Sequence, residues 1–186
     1  MVNLTEYLYK KTEPIIESWN EEGIYALSFF VYTNEDNIPN FVISYNTEED
    51  CEYSPQLSEQ RWNYAFWRQD ENEIIGDEKS TNILLQWFKE NGVKDIGYED
   101  ETLMYDEDYN YIGKGPNGYY ELLQIVSNVA KRLHDNKVII NTFKREIPII
   151  IHDLEYSWFS EEATKNGNPN GIAEIFLKAL HQEFPE

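Results

Sequence analysis

The chain has 186 residues, of which 35 are acidic and 15 basic, giving a formal net charge of −20. That balance excludes direct binding to a nucleic-acid backbone, which needs clustered Lys and Arg, and disfavours docking on anionic lipid. With 41% hydrophobic and 15% aromatic residues the chain still holds enough apolar material for a core, so its acidity does not mean disorder.

Taken in chain order, Leu4, Leu8, Lys11, Ile15 and Trp19 recur at helical spacing, with Tyr7 and Ile16 widening the stripe. Pro14 predicts a kink there or a restart with Thr12 as N-cap, and Gly23 a left-handed stop. Ile24 to Thr33 is apolar on both faces and reads as a central strand. Ile24, Ala26, Phe30 and Tyr32 share one side, and Tyr25, Leu27, Phe29 and Val31 the other. The polar stretch Asn34 to Pro39 returns the chain into Phe41–Tyr45 as an antiparallel hairpin. Asn46 to Glu59 is acidic and turn-rich. Trp62, Tyr64 and Phe66 alternate, which predicts a strand over Arg61–Trp67 in preference to a helix.

Ser80 is a candidate cap for a helix carrying Ile83, Leu84, Trp87 and Phe88, closed by Asn91-Gly92. Residues 93–116 read as a long acidic, Tyr-rich loop. A long helix from about Asn117 carries Leu122, Leu123, Val126, Val129 and Leu133, and Ile147 to Leu154 reads as a strand with Pro148 at its start. Ser160 is a candidate cap for a short helix before the break Asn166-Gly167-Asn168-Pro169, and Asn170 for the last helix. No linker or repeat divides residues 1–186. The expectation is a single α+β domain, a mainly antiparallel sheet of four to six strands flanked by helices.

Met1–Glu6 lacks the basic-then-apolar build of a signal peptide, and no apolar run nears the ~18 residues of a membrane span. Cys51 is the only cysteine, which excludes an internal disulfide and a Cys-rich metal site. These features predict a cytoplasmic protein with no cofactor and no bound metal.

The segments Tyr25-Ala26-Leu27, Asn46-Thr47-Glu48-Glu49, Arg61 to Trp67, and Ile147 to Tyr156 with its His152-Asp153-Leu154-Glu155 resemble a bacterial family catalogued as domain-of-unknown-function family 4303. In order and spacing the resemblance covers about Leu4 to Leu180. It implies a small cytoplasmic bacterial protein. Acidic families of this kind often occur as immunity proteins beside polymorphic toxins, an implication by analogy. It carries over no catalytic residues, so the remaining candidates rest on their own chemistry.

The segment from Tyr98 to Tyr111 has six acids, four tyrosines and no base. Tyrosine gives broad contact at low entropic cost, and carboxylates pair with Lys and Arg. Glu99, Asp100, Glu101, Tyr105, Asp106, Glu107, Asp108 and Tyr109 are therefore the expected contacts to a basic protein partner, such as a nuclease-like toxin domain. The bland alternative is a solvated loop. As a calcium loop it fails, because position 6 is Tyr111 where Gly is needed and position 12 is Asn117 where Glu is needed. Gly113 to Gly118 lacks the spacing of a phosphate loop.

A second candidate, His152 with Asp153 and Glu155, lies at a strand end. There two carboxylates at i, i+2 suit acid–base or metal chemistry, completed by His134 or His181. Its bland reading is a strand emerging into solvent. Arg61, Trp62, Trp67 and Arg68 fit an interface hot spot, or a core in which the arginines neutralise acids such as Asp50 or Glu59; the core is expected. Cys51, in an acidic loop, is not expected to act as a nucleophile. The sequence thus favours a non-enzymatic acidic binding protein, with a carboxylate hydrolase or a regulatory scaffold as the alternatives.

Overall fold

A strand that is apolar on both sides has no face to give to water. Ile24–Thr33 (β1) accordingly sits inside a four-stranded sheet with its first eight residues buried. The other strands are Pro39–Thr47 (β2), Asn72–Ile75 (β3) and Ile149–His152 (β4), in the order β3-β2-β1-β4. The computed structural model describes residues 2–93, 106–108, 110, 118–154 and 156–181. Within them the helices are Leu4–Ser18 (α1), Glu59–Trp62 (α2), Glu78–Glu90 (α3), Gly118–Asp135 (α4), Val138–Phe143 (α5), Trp158–Gly167 (α6) and Glu174–Leu180 (α7).

The hairpin forms as expected, with Phe29 opposite Ile43 and Phe30 opposite Val42. β3 adds antiparallel to β2, and β4 adds parallel to β1, with Phe29 level with Ile151 and Phe30 with His152. The result is a single α+β domain with a mixed, mainly antiparallel sheet. A register shift between Ile24 and Ala26 changes one detail of the expected alternation. Ile24 joins Leu27, Phe29 and Val31, while Tyr25 joins Ala26 and Phe30. An extra residue in a strand turns the side chains before it to the other face.

The Leu27–Phe29–Val31 face packs under α1, α4 and α6 through Leu8, Ile16, Leu122, Val126 and Ala163. α1 runs unbroken through Pro14, and its cap is Asn3, whose side chain accepts from Glu6 N at 3.0 Å; there is no restart at Thr12, which is buried. Pro14 and Lys10 lie on the exposed side. The Lys10 carbonyl deprived of its partner therefore faces water, and packing of the other side holds the helix. α1 ends at Ser18, so Gly23, at φ +78°, serves the turn into β1 and not the helix stop.

The other helix starts are also displaced from the expected caps. Asp77, not Ser80, caps α3, accepting from Ser80 N at 2.7 Å, while Ser80 Oγ accepts from Gly76 N at 3.2 Å. Asn91-Gly92 closes it, with Gly92 at φ +71°. Ser157, not Ser160, stands at the start of α6, and the two hydroxyls are 3.0 Å apart. Asn170 falls in a 3-10 turn, Pro169–Gly171, and α7 starts after Ala173. Pro148 precedes β4, which is shorter than the expected Ile147–Leu154.

β4 is an edge strand, and α6 covers its free edge with side chains. Thr164 Oγ accepts from Ile151 N at 2.8 Å and donates to Ile151 O at 3.0 Å. Asn168 accepts from Ile149 N at 2.8 Å and donates to Ile149 O at 2.7 Å. Two side chains thus do what a fifth strand would, leaving no open template for another chain.

Candidate binding surface

The second face of the sheet is covered by residues 48–71, and here the expected strand is absent. Arg61–Trp67 forms the end of α2 and a 3-10 turn, Tyr64–Phe66, entered through Asn63, whose side chain accepts from Ala65 N at 2.9 Å. Two of the three alternating rings pack on the sheet, and Trp67 takes the place expected of Phe66. Trp62, Tyr64 and Trp67 point inward, with Cys51, onto Tyr25, Phe30 and Val42, while Phe66 stays 54% exposed.

Polar atoms of these rings fasten the segment. Trp62 Nε1 donates to Gln56 O at 2.6 Å and Trp67 Nε1 to Arg61 O at 2.8 Å. Tyr25 OH also donates to Arg61 O, and Tyr156 OH to Trp62 O, each at 2.5 Å. Segment carbonyls that no ladder serves are thus paired by buried aromatics. Burial pushes the Tyr25 and Tyr156 phenols well above the usual tyrosine range.

Arg61 and Arg68 hold the segment to the bottom of the hairpin. Arg61 makes a two-pronged contact with Glu48 (2.7 and 2.5 Å), donates to Ser54 O at 3.3 Å, and lies 4.0 Å from the Tyr25 ring centroid. Arg68 grips Glu21 through both terminal nitrogens (2.7 and 2.8 Å) and reaches Asp50 at 3.0 Å. Arg68 and the Tyr45 hydroxyl bring Glu21 down to about 2. Arg61 lowers Glu48; burial works against the charge of Asp50, but hydrogen bonds from Thr47 and Arg68 outweigh it. The core reading of Arg61, Trp62, Trp67 and Arg68 holds, with Asp50 among the neutralised acids. Glu59 instead accepts from Asn63 Nδ2 at 3.0 Å. Cys51 is fully buried, its thiol directed at Glu48 O (3.4 Å) with Arg61 Nη1 at 3.5 Å.

His152 lies at the centre of this face, fully buried. Phe30 stacks on it at 5.3 Å, with the Tyr64, Trp67 and Tyr156 rings around it. Its Nδ1 is 2.8 Å from Asp153 O, a carbonyl that can only accept, so Nδ1 carries the proton and Nε2 accepts from Ser28 Oγ at 2.8 Å. Burial lowers this histidine to about 4. Opposite Ser28 in register stands Ser44, whose buried hydroxyl has no partner among the described residues. The sequence reading passed over Ser28, although a hydroxyl in a strand buried on both faces signals a buried partner.

The two described members of the expected strand-end site, His152 and Asp153, do not converge. Asp153 turns to the other side, accepting from Tyr119 OH at 2.8 Å, and Glu155 lies outside the described residues. His134 sits elsewhere, between Glu146 (2.9 Å) and Asn168 Oδ1 (3.2 Å), and His181 contacts Glu161 at 2.9 Å. Among the described residues no group of His, Cys, Asp and Glu is placed to hold a metal ion.

Of the acidic segment, Asp106, Glu107 and Asp108 are described, all exposed; Glu99, Asp100, Glu101, Tyr105, Tyr109 and the stretch 113–117 lie outside the described residues. Asp106 Oδ1 accepts from Asp108 N at 2.9 Å and Asn110 N at 2.8 Å, contacts that lower its carboxyl.

The described surface includes two well-formed concavities. One, about 400 Å³, is walled by Trp19, Gly23, Glu48, Phe143 and Arg145. Three of its charged groups are engaged, Glu48 by Arg61, Glu21 by Arg68 and Arg145 by Ile24 O at 2.8 Å, and Glu22 is exposed. The other, about 300 Å³, lies between α2 and α7 beside Trp62, Leu154, Tyr156 and Leu180, with Glu59 its one charged lining residue among those described.

Fold and surface define an α+β domain with one helix-covered face and one covered by an acidic, aromatic-pinned segment. No family model, curated protein or solved structure matches the chain. No helix among the described residues is long and apolar enough to cross a membrane.

Proposed function

We propose that this chain is a non-enzymatic acidic binding protein that captures a basic protein partner in the cytoplasm, in the manner of an immunity protein and a nuclease-like toxin. The observation that carries this reading is the placement of its arginines. All four, Arg61, Arg68, Arg132 and Arg145, are tied to groups of the chain itself: Glu48, Glu21 with Asp50, Glu6, and Ile24 O. Glu49, Glu52, Glu59, Asp70, Glu71, Glu107 and Asp108 are exposed and have no cation against them among the described residues. Arginines occupied by groups of their own chain, beside exposed acids that have no such cation, leave a negative field that steers a basic partner. On the sequence segments alone, the proposal extends to kinship with family 4303.

Stopped-flow association with the protein encoded beside its gene tests this. The rate falls steeply from low to physiological salt, and the combined change Asp106→Asn, Glu107→Gln and Asp108→Asn slows capture by at least ~10-fold. A rate indifferent to both salt and that triple change overturns it. A hydrolase using His152, Asp153 and Glu155 draws no support from a buried, hydrogen-bonded His152 and an Asp153 facing the other way.

A further inference from the structure

We propose that the groove between α2 and α7 is the docking site for the partner: it takes an apolar side chain flanked by Lys or Arg on a basic polypeptide. This rests on the reading of the chain as a captor of a basic protein and gives that reading a place. Leu154 is 78% exposed and forms one wall of the groove. A leucine so exposed at the mouth of an apolar groove is free to cover an incoming side chain. The floor, Trp62 and Tyr156, is held still by hydrogen bonds to Gln56 O and Trp62 O, so little ordering accompanies docking.

Charge selects the occupant. Glu59 lines the groove, and among the described residues no base does. The segment that forms one side, residues 48–71, holds seven acids and two arginines. Both arginines are turned onto Glu48, Glu21 and Asp50, leaving Glu49, Glu52, Glu59, Asp70 and Glu71 exposed. The same segment shows Tyr53 at 75% and Phe66 at 54% exposure, aromatic anchors among carboxylates. A second copy of this chain would bring another net charge of −20 against the first, which disfavours self-association and favours a cationic partner.

The test uses two short synthetic peptides of equal positive charge, one of Leu and Lys and one of Ser and Lys, titrated by calorimetry and by amide chemical shifts. The Leu/Lys peptide binds wild type about 10-fold tighter than Ser/Lys, the gain from burying one leucine. The gap closes in Leu154→Ser and is kept in Leu154→Met. Leu154 is exposed, so both variants keep the wild-type melting temperature. Shifts centre on Trp62, Leu154, Tyr156 and Leu180. Equal affinity for the two peptides, with binding lost at high salt, overturns the groove while charge-driven capture stands. Binding of neither peptide removes both readings. A dimer in sedimentation that Leu154→Ser converts to monomer makes the groove a self-interface and overturns the proposal. So does a gain in Leu/Lys affinity in Phe184→Ser, which would show the chain's own C-terminal end competing for the groove.

Discussion

The two faces of the sheet are built from the same strands and solve burial in opposite ways. On one, Leu27, Phe29, Val31, Ile43, Ile149 and Ile151 meet the helices α1, α4 and α6, and the contact is almost wholly apolar. On the other, Tyr25, Phe30, His152, Trp62, Tyr64 and Trp67 meet an irregular segment, and nearly every ring that has a polar atom places it on a carbonyl or a carboxylate. The difference follows from what covers each face. A helix satisfies its own backbone and needs only apolar neighbours, whereas a segment without regular structure carries free carbonyls that side chains must reach. The first face is therefore sensitive to volume, the second to hydrogen bonding and to pH.

The contrast is sharpest in stability. Phe29→Ala opens a cavity under the helices and costs about 3–5 kcal/mol in urea unfolding. A smaller loss would mean that the helical face relaxes around the gap. On the other face, the neutral His152 has a folded value of about 4 against an ordinary 6.5. The unfolded chain thus binds more protons between those values. The contribution is whole above pH 6.5 and is lost as pH falls toward 4, by roughly 3 kcal/mol in total. Carboxylates held low, such as Glu21 and Glu48, add their own loss below the usual carboxylate range. The difference between wild type and His152→Phe isolates the histidine, and a difference flat from pH 7 to pH 4 would break the assignment.

Smaller effects distinguish the two serines that stand opposite each other. Ser28→Ala removes the donor to His152 Nε2 and costs about 1 kcal/mol. Ser44→Ala deletes a hydroxyl that has no partner among the described residues, so it is neutral or stabilises by up to about 1 kcal/mol. Equal costs for both would show that the buried polar pair acts as a unit. The triple change at Asp106, Glu107 and Asp108 is the smallest of all for the fold, within about 0.5 kcal/mol, because these side chains are exposed. Its effect belongs to association.

How far the sequence could be read differs between the faces in the same way. β1, the hairpin, α3 and α4 were legible because their apolar residues repeat at the period of the element. The helical face, with its Leu122–Leu133 stripe, was nearly complete on that basis. Arg61–Trp67 was not, since a turn-rich segment also lays closely spaced aromatics on a sheet, here Trp62, Tyr64 and Trp67, with Phe66 left outside. The cap positions missed at Asp77, Ser157 and Ala173 each lie three residues from the expected one. Ser80 and Ser160 bond near the helix start from inside the first turn, so their chemistry was right and their position was not. At the end of β4, His152 and Asp153 face opposite ways, as the alternation of a strand dictates; that the His152 side is sealed is what the sequence does not tell.

By itself the sequence determined the α+β class, the central strand, the hairpin and a net charge of −20, because periodicity and composition are local or additive properties. Only the tertiary structure decided where that charge points. Whether an arginine meets a carboxylate of its own chain depends on which distant segments fold together. Glu21 lies 47 residues from Arg68, and Glu6 lies 126 from Arg132. Those long-range pairs occupy the cations within the chain, and the acids left without one are the surface available to a partner.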